Sequence, residues 1–189
     1  MSWLESHRSR RIAITLAGVL CLAGITGGCF HPLYGDPSLT GGPAIAPALA
    51  NVDVSQIPAV AGSPEARVAV ETRNQLLFDL RGGAEQPTAP THRLSTHMTS
   101  TRLSVIVDPI SGLADVENYG LNVYFTLLDI KTGRPVMTGQ TFARVSFSDP
   151  GLAQRFARQR GMRDAENRAA KEIADNIRSR LASYFVAGT

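Results

Sequence analysis

Few residues in this 189-residue sequence can do chemistry, and most of those are arginines. Outside the cysteines, His31, His92 and His97 stand within the later chain. His92 and His97 are five apart on a predicted strand, so they point to opposite faces and cannot hold one ion together. Asp108, Asp115 and Glu117 surround a Pro-Ile-Ser-Gly turn, and turn chemistry accounts for them. No HExxH, CxxC, GxSxG or Walker-type loop is present. The chain is therefore expected not to be an enzyme and to use neither metal nor cofactor. The arginines point instead to anions. Arg155, Arg158, Arg160 and Arg163 load the start of the last predicted helix against its macrodipole, with no acid among them. That pattern favours contact with an anionic surface or partner. Asp164, Arg168 and Glu172 follow at helical spacing, as a solvated face would have them. Arg93 and Arg102 lie along a predicted strand, and Lys131 and Arg134 sit at a hairpin tip. These four either protect a sheet edge or converge on phosphates.

The remaining reactive group is Cys29. It follows a basic start (His7, Arg8, Arg10, Arg11) and the uncharged run Ile12 to Ile25, the order of a secretory signal. The run is too short for a membrane span, which takes about 20 apolar residues. Ile25-Thr26-Gly27-Gly28-Cys29 resembles a bacterial lipobox, in which small residues let a peptidase bring the backbone close to a modified thioether. Cys21 lies inside the apolar run, so the mature chain carries a single thiol. Left free in an oxidising compartment it would be a liability; lipid-modified, it is not. Residues 1–28 are read as a lipoprotein signal peptide and Cys29 as the lipidation site. Without them 161 residues remain, with 16 basic and 15 acidic side chains. That near-neutral balance argues against nucleic acid as a partner, and the length is enough for one domain with a core.

The elements that must position these residues follow from periodicity. Gly35 to Ala50, dense in Gly, Pro and Ala, is expected to hold no helix, so residues 29–50 read as a lipidated N-terminus and flexible tether. Val52 and Val54 mark a short strand. Ser63-Pro64-Glu65 opens a helix running to about Leu80, with a stripe of Ala66, Ala69, Val70, Leu76, Leu77 and Leu80, stopped by Gly82-Gly83. His92 to Val107 is a strand with Leu94, Thr96 and Met98, then Leu103, Val105 and Val107, and a bulge expected near Thr101. A third strand, from Val116, puts Leu121, Val123, Phe125 and Leu127 on one face and Asn122, Tyr124 and Thr126 on the other. Asp129 to Arg134 is a hairpin, and Met137 to Phe147 alternate through a fourth strand. Ser148 or Asp149 then caps a last helix with the stripe Ala165, Ala169, Ile173, Ile177, Leu181 and Phe185, and whether Gly161 breaks it is left open. The expected fold is α+β, β-α-β-β-β-α: a two-layer sandwich over residues 51–187, with a four-stranded mixed sheet and two helices on one face. The other face, carrying Tyr124, Gln140 and Arg144, is left for solvent or a partner. The apolar stripes are expected to be used up in helix–sheet packing.

Cys29-Phe30-His31-Pro32-Leu33-Tyr34-Gly35 resembles the start of the LPS-assembly lipoprotein family (LptE). RNQLLFDL at 73–80, the hairpin stretch at 120–149 and the alanine-rich close at 164–185 are similar to that family too. The resemblance implies an outer-membrane lipoprotein, anchored in outer-membrane lipid through acylated Cys29. It would plug and help assemble the LPS-translocon β-barrel (an LptD-like partner) and assist lipopolysaccharide insertion. Phe30, where an inner-membrane lipoprotein typically has Asp, fits that location. It makes lipopolysaccharide the ligand expected at Arg93, Arg102, Lys131 and Arg134, and the barrel the partner expected at Tyr124, Gln140 and Arg144. The alternative is a periplasmic lipoprotein accessory to a lipid ABC transporter.

Overall fold

The structure, a computed structural model, describes residues 45–83, 87–107, 114–148 and 154–187. The signal segment, Cys29, His31, Asp108 and Asp149 lie outside them. The described elements are α1 (Ile45–Ala50), β1 (Val52–Val54), α2 (Pro64–Arg81), β2 (His92–Val107), β3 (Ala114–Asp129), β4 (Pro135–Ser148) and α3 (Arg155–Ala187). Helix α1 corrects the expectation that this tract is helix-free. Beyond Pro43 it contains no glycine, and Leu49, only 2% exposed, joins the main core. Six residues cannot make a stable helix alone, so this turn is held by tertiary packing.

The ends of α2 are encoded locally. The Ser63 hydroxyl accepts from the Ala66 amide at 3.2 Å, Pro64 opens the first turn, and Gly82 closes the helix at φ 63°, donating its N–H to the Phe78 carbonyl. The buried face is Val68, Ala69, Thr72, Leu76 and Leu80. Val70, expected inside, is 60% exposed, and Val68 takes its place. The other tight turn is the hairpin. There the Asp129 carboxylate accepts from the Lys131 and Thr132 amides, and Gly133 adopts φ 66°.

The sheet runs β1-β2-β3-β4, with β1 parallel to β2 and the rest antiparallel, so it is mixed as expected. The parallel pair requires a crossover, which α2 supplies. Leu94, Met98, Leu121, Val123, Phe125, Leu127, Ala143, Val145 and Phe147 face the helices and are buried. From α3, Ile173, Ile177 and Leu181 are wholly buried, each contributing about 1.5–3 kcal/mol. The small residues Ala165, Ala169, Ala174 and Ala182 are also fully buried and let α3 lie close to its neighbours. The Phe125 ring lies over Gly139, its partner across the ladder; a Cβ there would stand 2.5 Å from Cζ.

Two local expectations are corrected, and the question left open at Gly161 is answered. The β2–β3 ladder runs unbroken past Thr101, and its register shifts fall between Ser104 and Val107. Leu103 and Val105 therefore keep the odd-numbered face, turn away from the helices, and are 67% and 50% exposed. Helix α3 is continuous through Gly161. Ser148 is the last residue of β4 rather than a helix cap, because α3 starts only at Arg155.

Candidate functional site

With no described cluster of His, Cys, Asp or Glu able to hold a metal, the candidate sites are surfaces. No described helix is long and apolar enough to cross a membrane. His97 lies exposed on the outer face of the sheet, while His92 packs edge-on against Phe185 at 5.2 Å between ring centres. The two point apart, as expected. Glu117 is not a turn residue: it is buried, and accepts from Arg158 at 3.4 Å.

The outer face brings together the residues expected there. Tyr124 stands between His97 on β2 and Gln140 on β4. Arg144, two residues from Phe142 on the same strand face, holds its guanidinium 5.9 Å from that ring's centre. Tyr124 and Phe142 are more than half exposed, and Leu103 and Val105 add apolar surface on β2. This contradicts the expectation that helix–sheet packing absorbs the apolar side chains. Among the described residues no element covers this face.

The four basic residues expected to converge do not. Arg93 donates to Asp53 at 3.1 Å at the β1 end of the sheet, and Lys131 and Arg134 are exposed at the hairpin tip nearby. Arg102 is nine residues along β2 from Arg93, about 30 Å at strand rise. It is also on the opposite strand face, paired in register with the buried Tyr119. The strand itself separates them.

Arg102 instead joins a group that forms only in three dimensions. With Arg67 of α2 and Arg155, Arg158 and Arg163 of α3, it lines a cleft of about 510 Å³. Arg67 donates to Glu166, a carboxylate 6% exposed that also lines the cleft. Arg102, Arg155 and Arg163 make no hydrogen bond or ion pair among the described residues. The first turn of α3 contains no acid, so arginines stand at the positive end of a helix dipole, where a cation is unfavourable by about 0.3–1 kcal/mol. Below the cleft, burial first and the Glu166 charge second push the Tyr119 phenol up to about 12. The Glu65 carboxyl is held below its ordinary range, mainly by a backbone hydrogen bond and then by the Ser100 hydroxyl, which donates at 3.0 Å.

The α3 arginines were legible as a charge run, whereas Arg67 was not, because its partner Glu166 is 99 residues away.

No family model matches the chain, and no curated protein sequence does. Solved structures do. A candidate lipoprotein from Caulobacter crescentus superposes with a TM-score of 0.60 at 20% identity, covering 78% of this chain and 98% of that one. The rare lipoprotein B from Shewanella oneidensis gives 0.49 at 17% identity, covering 72% and 95%. A minor lipoprotein from Acinetobacter baumannii gives 0.49 at 14%, covering 71% and 92%. At these identities the likeness is one of fold, and the Caulobacter protein carries it.

Proposed function

We propose that this chain is an outer-membrane lipoprotein, anchored through acylated Cys29, that assembles and plugs an LPS-translocating β-barrel and assists lipopolysaccharide insertion. The observation that carries the reading is the bare outer face of the sheet. Tyr124, Gln140 and Arg144, with Phe142 alongside, mix aromatic, amide and guanidinium groups on a rigid ladder, and aromatics and arginine are the residue types that anchor protein interfaces. Large barrels have polar, wet interiors, and a face of this composition suits such a wall better than it suits acyl chains. The Phe30 to Gly35 run and the fold shared with the Caulobacter lipoprotein support the same reading. Lys131 and Arg134 at the hairpin tip are the proposed contacts to lipid A phosphates. Arg93 is committed to Asp53, and Arg102 lies elsewhere.

The test is capture of the tagged full-length protein from outer membranes solubilised in mild detergent. A barrel should co-purify, since permanent interfaces bury more than about 2,000 Å². Tyr124→Asp combined with Arg144→Asp should abolish co-purification while leaving the melting curve in place. If the barrel accumulates normally in cells lacking this protein and no complex is captured, the reading fails. Unchanged mass of the mature protein after inhibition of the lipoprotein signal peptidase would remove the anchor at Cys29.

A further inference from the structure

We propose that the arginine cleft between the starts of α2 and α3 and the far half of β2 binds phosphate groups carried on a body larger than phosphate itself. It is a second site, distinct from the outer face and the hairpin tip, and it stands whether or not the barrel reading does.

Charge makes the first part of the case. Five guanidinium groups line the cleft, and the carboxylates in and beneath it are Glu166, Glu117 and Glu65, which leaves an excess of two positive charges. Two of the arginines are held by carboxylates, so they form a fixed frame. Arg102, Arg155 and Arg163 make no hydrogen bond or ion pair among the described residues, and Arg102 acts on the Glu65 carboxylate only through space. Arg155 and Arg158 stand in the first turn of α3, at its positive end, and cations gathered in one cleft repel one another, so a bound anion would relieve several of them at once. Arginine forks match phosphate geometry bidentately. A phosphate offers three oxygens to several forks, where a carboxylate offers two. The space makes the second part. About 510 Å³ is far more than one phosphate fills and lies within the range of sites for small organic ligands. Met162 and Pro64 line the same cleft and supply apolar surface beside the charges. Those features suit a phosphorylated sugar or a lipid headgroup, two sources of one chemistry.

The experiment uses the full-length protein in non-ionic detergent, with inorganic pyrophosphate as the first probe, followed by calorimetry and thermal melting. Saturable binding is expected, with a rise in melting temperature and an affinity that falls as salt is added. Arg102→Ala with Arg163→Ala should weaken it ten-fold or more, Arg102→Lys with Arg163→Lys should weaken it less, and Lys171→Ala, an exposed cation of α3 outside the cleft, should leave it unchanged. The lysine pair guards against misfolding, because it keeps charge and aliphatic stem. Micelles of lipid A and vesicles of phosphatidylglycerol then distinguish the sources. Competition with pyrophosphate by either, but not by phosphatidylcholine vesicles, assigns a lipid headgroup; no competition assigns a soluble phosphate. Absence of pyrophosphate binding, or equal binding by the Arg102/Arg163 alanine variant, overturns the proposal. So does displacement by polyglutamate at equal affinity, which would make the cleft a dock for acidic protein segments.

Discussion

The two faces of strands β2 to β4 are built from the same backbone and end in opposite states. On the inner face Leu121, Val123, Leu127 and Ala143 are wholly buried beneath α2 and α3; on the outer face Tyr124, Phe142, Leu103 and Val105 stay at least half exposed. Alternation alone does not settle the matter on β2, where Leu103 and Val105 put apolar side chains on the outer face. What does is the supply of helices: among the described residues both long ones lie on one side. Stability is concentrated on that side, which leaves the other free to change composition without changing the fold.

The contrast breaks most visibly in the core. Ile173→Ala should cost about 2–5 kcal/mol, whereas Phe142→Ala on the outer face should cost under about 1 kcal/mol; denaturant midpoints for the pair decide it. Alkaline pH probes the inner face at Tyr119. The unfolded chain releases a tyrosine proton near 10, but the folded protein holds this one until about 12. Its contribution is therefore intact below pH about 10 and lost between about 10 and 12. That amounts to about 2–3 kcal/mol, a decline that Tyr119→Phe should flatten. Gly161→Ala in α3 tests whether that position needs its glycine. A Cβ there would meet the Ser148 carbonyl at 3.5 Å, an ordinary contact, so a gain of about 0.5–1 kcal/mol is expected. Thermal melting that shows a loss instead would mean α3 bends there in solution. The smallest effect belongs to the outer face, where Tyr124→Asp with Arg144→Asp should move folding stability by no more than about 0.5 kcal/mol per site.

Much of this was legible in the sequence, and the gaps have physical causes. Period-two alternation identifies the buried face of β3 and β4, and Ser63, Pro64, Gly82 and Gly133 mark the caps and the turn, because those signals act over a few residues. The bulge was misplaced because Leu103 and Val105 are apolar and invite an inward reading, while only the pairing with β3 shows that the ladder continues past Thr101. Val68 and Val70 exchange roles because the rotation of α2 is set by what it packs against. Of the candidate sites, the outer face was legible because one strand face declares its neighbours. The arginine cleft was not, since Arg67, Arg102 and Arg163 belong to three elements and meet only through tertiary packing.

The hollow at Gly139 bears on how the chain finds its alignment. A slip of one residue between β3 and β4 would exchange the two faces and is excluded by hydrophobicity. A slip of two would keep every apolar residue on its own side and restore every backbone hydrogen bond. Shape opposes it: the Phe125 ring fills the space left by a missing side chain, and two positions away it would face the Met137 or Thr141 side chain instead. One absent methyl group thus acts as a notch for an aromatic tooth, and correct pairing of a long antiparallel hairpin becomes a matter of steric fit.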